Sequence, residues 1–211
     1  MKICSKKELN FTIMADMMMN RGKYKYTLQD KLKHLIIPDY IMSYLKSMRY
    51  VNFLSYQRSI KKYHIGYLIC YLYYMYRYKK LGIKLGFSIG KDCLGYGVVI
   101  PHYGTIVVGA SNIVGPYAVL HTSTCISDNH KTIGTGLYLG TGSKLTTQLS
   151  LGDNVSIGAN SLVNRSFSSN LLIAGSPAKE IKPSEAWYVR DGVKYTKRVK
   201  LIEELKSQLE V

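Results

Sequence analysis

The feature that most constrains this sequence is an aliphatic residue that returns at every sixth position between Val108 and Val163. The register gains one residue between Ile126 and Ile133 and is otherwise unbroken. The residues that define it are Val108, Val114, Leu120, Ile126, Ile133, Leu139, Leu145, Leu151, Ile157 and Val163. A period of six matches neither the helical repeat of about 3.6 residues nor the simple alternation of a half-buried strand. The stretch therefore predicts a solenoid.

Each six-residue unit has the composition of a short strand followed by a corner. Glycine directly follows the aliphatic residue in most units, as at Gly109, Gly115 and Gly140. The aliphatic side chain is expected to point inward and stack on its equivalents in the neighbouring coils, while the small residue forms the corner. If three units make one triangular coil, the stretch forms about three to four coils of a parallel β-helix.

Composition divides the chain into two unequal parts near residue 84. Residues 1–84 contain 17 Lys and Arg against 4 Asp and Glu, whereas the remainder contains 12 against 9. Of the 19 tyrosines, 13 also fall within residues 1–84. We therefore predict a basic, Tyr-rich α-helical domain over residues 1–84, a β-helix over residues 85–183 and a helical tail over residues 184–211.

Hydrophobic spacing predicts helices within the first domain. Apolar residues recur at helical steps from Thr27 until Pro38, a second helix is expected over residues 39–50, and a third over residues 52–80 with an interruption near residues 64–66. Residues 1–22 give no clear period and are expected to form a loosely organised start. A last amphipathic helix is predicted over residues 197–211.

Several classes of protein are excluded by the composition. The four cysteines lack the spacing of a metal site or a disulfide framework, so no metal is expected and a cytoplasmic setting is favoured. No secretory signal and no membrane-spanning segment is expected, since the longest apolar run, residues 65–76, is shorter than the roughly 20 residues required. No nucleic-acid-reading motif accompanies the basic charge, so a nucleic-acid partner is not expected.

Two interpretations of the basic helical domain remain open. Residues 65–76, with basic residues on both sides, suit peripheral contact with an anionic membrane surface, because such surfaces attract cationic charge beside an apolar face. Alternatively, the helices form a cap packed on the solenoid, with their lysines in solvent.

Three segments resemble the hexapeptide-repeat acyltransferases of the left-handed β-helix class. Within that class they are similar to the serine acetyltransferase branch, which includes exopolysaccharide and capsule O-acetyltransferases. The segments are Gly97–Gly109, with Pro101-His102-Tyr103-Gly104; Asn129–Gly134, with Asn129-His130-Lys131; and Ile173–Lys179, with Ala174-Gly175-Ser176-Pro177-Ala178. The resemblance implies a mainly β fold, a left-handed parallel β-helix behind an N-terminal helical domain. It also implies a homotrimer with acetyl-CoA bound between neighbouring β-helices.

The resemblance and the irregularities in the repeat mark candidate catalytic residues. His102 is the predicted general base, because an alcohol needs a base near its proton and the histidine pKa of about 6.5 suits that role. His130 lies where the register gains a residue and is a candidate for a second catalytic role. His121 and Asn129 are candidates for acceptor binding, although an ordinary surface histidine is the simpler interpretation of His121.

Coenzyme A needs small residues along its pantetheine arm and cations near its phosphates. Candidates for the arm are Gly140, Gly142, Gly158 and Ala159. Candidates for the phosphates are Lys144, Arg165, Lys179 and Lys182. The glycines also have a sufficient structural role at corners of the coils.

The chain departs from the serine-specific pattern at residues that would recognise the acceptor. Pro101 and Phe87 stand where that branch has aspartates, and Asn129 stands where it has an arginine. A free amino acid thereby loses expected partners for its ammonium and carboxylate groups, so a sugar hydroxyl of a surface polysaccharide is the favoured acceptor. L-serine remains the alternative acceptor, and a non-catalytic trimeric scaffold remains an alternative function.

Overall fold

The computed structural model describes residues 1–211, which form four helices, a β-solenoid and two further helices. The helices are α1 (Lys6–Arg21), α2 (Leu28–Ile36), α3 (Tyr40–Ile60), α4 (Ile65–Leu85), α5 (Trp187–Arg190) and α6 (Val193–Leu209). The strands are β1 (Phe87–Ile89), β2 (Ile106–Val108), β3 (Ile113–Val114), β4 (Val119–Leu120), β5 (Thr124–Ile126), β6 (Thr132–Ile133), β7 (Tyr138–Leu139), β8 (Lys144–Leu145), β9 (Ser150–Leu151), β10 (Ser156–Ile157), β11 (Leu162–Val163), β12 (Leu171–Gly175) and β13 (Ala178–Pro183).

The strands stack into three sheets, which form the three sides of a triangular solenoid. Sheet A has the order β1-β2-β5-β8-β11, sheet B the order β3-β6-β9, and sheet C the order β4-β7-β10-β12-β13. All pairs are parallel except β12 with β13, which turns back along the edge of sheet C. Five strands stack in sheet A, so the solenoid has about five coils. The predicted parallel β-helix is confirmed, and it extends to one coil before the regular repeat.

The periodic aliphatic residues form the interior of the solenoid. All ten of them, from Val108 to Val163, are at most 3% exposed and belong to one continuous core. The paired residues show why a period of six suffices, since Val108 pairs with Ile126 and Leu145 with Val163. Three units therefore return the chain to the same side of the triangle.

The prediction of a loosely organised start is wrong, because residues 6–21 form the regular helix α1. Ser5 and Glu8 form a capping box at its start, and Gly22 ends it in the left-handed conformation with φ 71°. The helix buries two different faces. Met17 packs in the solenoid core, whereas Met18 and Met19 belong to a second cluster with the C-terminal helices. Burial on two sides hides the periodicity of a one-sided helix.

Two other helix boundaries differ from their predicted positions. Helix α3 continues without a break to Ile60, and the interruption falls at residues 61–64 instead of near residues 64–66. The last helix begins at Val193, four residues before its predicted start. The proposed domain boundaries at residues 84 and 183 lie at the end of α4 and at the end of β13. None of the helices is long and apolar enough to cross a lipid bilayer.

A fully buried ion pair joins the helices to the first coil. Arg49 of α3 donates to the Asp16 carboxylate of α1, with Nε–Oδ2 2.9 Å and Nη2–Oδ1 3.2 Å. The same guanidinium donates to the carbonyls of Leu94 and Gly95, and the Asp16 carboxylate accepts from the Val98 amide. The pair thereby satisfies backbone groups of the first coil that have no coil below them.

Replacement of Arg49 by methionine should lower the free energy of unfolding by about 3–5 kcal/mol, because it leaves Asp16 buried without its cation. Urea unfolding followed by circular dichroism would measure the change. Lys91→Gln is the matched control, since Lys91 pairs with Asp92 at the surface and such pairs contribute about 0–1 kcal/mol. Equal effects of the two substitutions would contradict the structural role assigned to the buried pair.

Candidate active site

His102 lies on a loop that protrudes from the corner where the chain passes from sheet C to sheet A, here called the C–A corner. Val99 is bridged to Val119 and Ile106 pairs with Thr124 in the next coil. The chain takes seven steps from Val99 to Ile106 but five from Val119 to Thr124, so the lower corner contains two additional residues. His102 is exposed, and its ring makes no hydrogen bond within the chain. The irregularity in the repeat thus presents an imidazole at the surface.

His121 lies at the C–A corner of the next coil, close to His102. Its amide donates to the Leu139 carbonyl at 3.2 Å, which fixes the backbone in the stack. Its half-buried ring packs on the ring of Tyr138, with the centroids 5.1 Å apart. Burial lowers the pKa of His121, the charge of nearby His102 lowers it further, and Asp191 acts in the opposite direction. His121 is therefore biased towards its neutral form, in which one ring nitrogen can accept a proton.

A shallow cavity of about 250 Å³ opens beside His121 along the C–A corner. The structure brings three predicted coenzyme A residues, Gly140, Gly158 and Ala159, into its lining. Gly140 also has a packing role, because a Cβ there would lie 2.6 Å from the carbonyl oxygen of Ile157. The cavity runs from His121 upward along the C–A corner, and His102 lies one coil below it, outside the lining.

Sequence reasoning missed Tyr138 and Arg190, which also line this cavity. The Arg190 guanidinium lies 4.9 Å from the centroid of the Tyr138 ring, donates to Ser156 Oγ at 3.1 Å and pairs with Asp191 at 2.8 Å. Trp187 anchors α5 by donating from Nε1 to the Tyr117 carbonyl at 2.7 Å. Arg190 lies in the tail outside the repeat, so no periodic signal could assign it to the site.

The three predicted phosphate-binding lysines and Gly142 lie near this corner but outside the cavity. Gly142 occupies the corner with φ 76°, where a Cβ would meet the Asn160 side chain. Lys144 begins β8 and is exposed on sheet A. Lys179 and Lys182 are exposed on β13, and Lys182 pairs with Leu172, which lines the cavity.

Asn129, His130 and Arg165 lie at a different corner, where the chain passes from sheet A to sheet B, here called the A–B corner. His102 precedes β2, whereas His130 follows β5, so the two histidines lie at opposite ends of sheet A strands. His130 is exposed with φ 49°, and its amide donates to Ser111 Oγ at 3.0 Å. Within one chain the structure therefore does not bring the two predicted catalytic histidines together.

Serine acetyltransferases are among the solved structures with the same architecture. The enzyme from Brucella abortus strain S19 aligns with a TM-score of 0.60 and 18% identity, over 84% of this chain and 69% of that chain. The enzyme from Neisseria gonorrhoeae aligns with a TM-score of 0.59 and 18% identity, over 85% and 67% of the two chains. The chain has the serine acetyltransferase fold. This is the left-handed parallel β-helix that the three sequence segments predicted.

The Brucella abortus enzyme has also been solved in complex with coenzyme A, and that structure aligns with a TM-score of 0.56 and 18% identity, over 84% and 68% of the chains. No protein-family model matches the chain, and no curated protein sequence matches it. The serine acetyltransferase fold is thus established by the shape of the backbone, and the chemistry has to be argued from the residues of the C–A corner.

The lowered pKa of His121 predicts a pH dependence of stability. Below the unfolded-state pKa of about 6.5, the unfolded chain binds a proton that the folded protein resists, so the free energy of unfolding should fall as the pH drops. The loss should begin below about pH 7 and continue down to the folded-state pKa. Urea titrations at several pH values would measure it, and His121→Gln should flatten the dependence. An NMR-measured pKa of His121 at or above 6.5 would contradict this prediction.

Proposed function

We propose that this chain is an acetyl-CoA-dependent O-acetyltransferase in which His102 is the general base. The observation that carries the proposal is the protruding loop at the C–A corner, which exposes the His102 imidazole near His121, whose ring lines a glycine-rich groove one coil above. Likeness to the serine acetyltransferase fold supports the same reaction class.

The reaction follows from the chemistry of an exposed imidazole. The neutral ring of His102 takes the proton from the acceptor hydroxyl as the oxygen attacks the thioester carbonyl carbon. A backbone amide from a corner of the coil would stabilise the oxyanion that develops. The carbon–sulfur bond then breaks, the acetyl ester remains on the acceptor, and the thiolate of coenzyme A leaves and takes up a proton.

The C–A groove fits an extended cosubstrate arm better than a globular ligand. Gly140, Gly158 and Ala159 present little side chain along it, and Arg190 adds a cation at its wall. We propose that the pantetheine arm of acetyl-CoA runs along these corners towards His102. Lys144, Lys179 and Lys182 are exposed within the same region and would contact the phosphates.

We infer that the acceptor is a sugar hydroxyl of a surface polysaccharide or its precursor. Apart from His102, the loop of residues 101–105 contains no acidic or basic residue that would recognise the charges of an amino acid. Asp191, the carboxylate that influences His121, is already paired with Arg190. L-serine is the second candidate, because the similar solved structures are serine acetyltransferases and one of them is described in complex with serine.

Substitution of His102 by alanine should lower kcat by about 10²–10⁴-fold with little change in KM for acetyl-CoA, because the base is lost and the groove is kept. Release of the coenzyme A thiol would be measured with monosaccharide, oligosaccharide and L-serine acceptors. His64→Ala is the control, since His64 is exposed at the start of α4. Turnover that survives in His102→Ala would show that His102 is not the general base. No wild-type turnover with any acceptor would favour the trimeric scaffold.

We further propose that the chain forms a homotrimer whose active sites lie between neighbouring subunits. One chain presents His102 and His130 at different corners, and a symmetric ring places the C–A corner of one subunit against the A–B corner of the next. The second corner would contribute Asn129, His130 and Arg165 to the acceptor and the phosphates. This arrangement assigns all the predicted site residues to one cleft.

Mixing two inactive variants would test the shared site. His102→Ala and His130→Ala subunits, unfolded and refolded together in equal amounts, should recover about one quarter of wild-type activity, because each mixed trimer contains one intact pair among its three sites. Analytical ultracentrifugation would establish that both variants and the mixture have three times the mass of one chain. Activity that remains at the level of the separate variants would exclude a site shared between these two histidines.

A second role, peripheral contact with an anionic membrane, is supported by an uncovered stripe on α4. The apolar residues Ile65, Ile69, Leu72, Tyr76 and Ile83 recur at helical steps and are each more than half exposed. Basic residues flank the stripe, with Lys61 and Lys62 before it and Lys79, Lys80 and Lys84 within its last turns. We propose that this stripe rests on the anionic surface of a bilayer.

Vesicles of phosphatidylcholine with phosphatidylglycerol should co-sediment with the protein at low salt and release it at high salt. The double variant Ile69→Ser/Leu72→Ser should weaken the binding at least tenfold, because it removes apolar area that would enter the interface. Ile113→Ser, an equally exposed apolar residue on the solenoid, is the matched control. Absence of co-sedimentation at low salt would exclude the membrane contact. A stripe variant that self-associates less than wild type would instead assign the stripe to a contact between chains.

A further inference from the structure

The helical segment contains a cavity that the proposed acetyl transfer does not use. It measures about 450 Å³, a volume within the usual range for small-molecule sites, and lies among α1, α2, α3 and α4 and the connection between α1 and α2. Four cations line it, namely Lys25, Lys31, Lys46 and Arg77, and no carboxylate does. Like charges brought together around a cavity repel one another unless an anion accompanies them.

These four cations have no anionic partner within the chain. The ion pairs of the structure involve other residues, and residues 1–84 contain only four carboxylates. Each carboxylate is engaged elsewhere: Asp16 with Arg49, Asp30 with Lys23 at 2.6 Å, Asp39 with Arg21 at 2.6 Å, and Glu8 with backbone amides at the start of α1. The positive charge of the cavity is therefore not neutralised by the protein.

The walls of the cavity are aromatic and apolar and are held in place by their own contacts. The Tyr74 ring stacks on Tyr50 at 4.1 Å between centroids, and Tyr73 accepts a hydrogen bond from Arg77 at 3.0 Å. The Tyr26 hydroxyl donates to Asp39 at 2.8 Å. Burial raises the pKa of Tyr74 to about 12, so its hydroxyl remains protonated at neutral pH. Met17 and Met42 extend the apolar wall towards the core.

We propose that this cavity binds a ligand that joins a phosphate group to an aromatic or apolar group. The phosphate would lie among Lys25, Lys31, Lys46 and Arg77, where charge-assisted hydrogen bonds are strong, and the apolar part would lie against Met17 and the tyrosine rings. The site is independent of His102 and of the C–A groove. Ligand binding in this cavity does not depend on whether the chain transfers acetyl groups.

The shared chemistry has two sources, a soluble phosphate ester or the headgroup of a phospholipid. Phenyl phosphate is the soluble probe, with inorganic phosphate and phenol as its separate halves, and ³¹P NMR titration measures its binding. Vesicles of phosphatidylcholine with phosphatidic acid are the lipid probe. Vesicles with phosphatidylglycerol, which lacks a phosphate monoester, are their control and measure any binding through the α4 stripe that does not depend on the cavity.

The decisive variant is Lys31→Gln/Lys46→Gln, which removes two cations from the cavity. It should weaken phenyl phosphate or phosphatidic acid binding by about tenfold per lysine, since each substitution removes a charge-assisted hydrogen bond to the phosphate. Lys197→Gln/Lys200→Gln is the matched control, because it removes the same charge from exposed positions of α6 and should change binding less than twofold. Circular dichroism would verify that both variants fold.

The outcomes distinguish a soluble ligand from a lipid headgroup, and ligand binding in this cavity from the proposed acetyl transfer. Cavity-dependent binding of phenyl phosphate supports a soluble ligand, and cavity-dependent binding of phosphatidic acid vesicles alone supports a lipid headgroup. Wild-type affinities for both probes that are unchanged by Lys31→Gln/Lys46→Gln would overturn the site. His102→Ala should leave both affinities unchanged, so a failure of the proposed acetyl transfer is distinguishable from a failure of this site.

Discussion

The buried Asp16–Arg49 pair is the interaction on which the arrangement of the molecule depends. A solenoid buries its core only between coils, so its first coil has an uncovered end. Arg49 and Asp16 bind the carbonyls of Leu94 and Gly95 and the amide of Val98 at that end. The charges are tolerated at full burial because each is paired and hydrogen-bonded. Helices α1 and α3 are thereby part of the solenoid core and not merely attached to it.

The hexad register was sufficient to predict the solenoid, because a hexapeptide repeat is a signature of the parallel β-helix and all ten of its aliphatic residues are buried in the interior. The helix α1 could not be predicted from the same reasoning. Met17 and Met18 are buried in two different clusters on different faces of one helix, so the sequence shows no single apolar stripe. The Asp16–Arg49 pair was equally invisible, since a buried salt bridge between distant residues leaves no periodic or local signal.

The candidate site likewise contains some residues that the sequence predicts and others that it does not. His102 could be selected from the irregular stretch that precedes the regular repeat, whereas His121 looked more like an ordinary surface histidine. The structure places both at adjacent levels of one corner. Tyr138 and Arg190 could not be selected. Tyr138 looks like an ordinary outward residue of a hexad, and Arg190 reaches the groove only because Trp187 anchors the tail across sheet C. A residue such as Arg190 reaches the site only when a non-repeating segment packs on the solenoid, so the structure is needed to identify it.

Charge is distributed unequally between the solenoid and the helical segment, which suits them to different ligands. The solenoid is nearly balanced, and its groove holds a single cation, Arg190, that is already paired with Asp191. The helical segment instead concentrates the excess of lysine and arginine and leaves four of these cations unpaired around one apolar cavity. Folding alone does not favour such a cluster, since self-repulsion lowers stability and the carboxylates that would relieve it are few and committed elsewhere. Lys25, Lys31 and Lys46 are exposed, so water screens part of this repulsion, and an anion supplied from outside the chain would relieve the remainder.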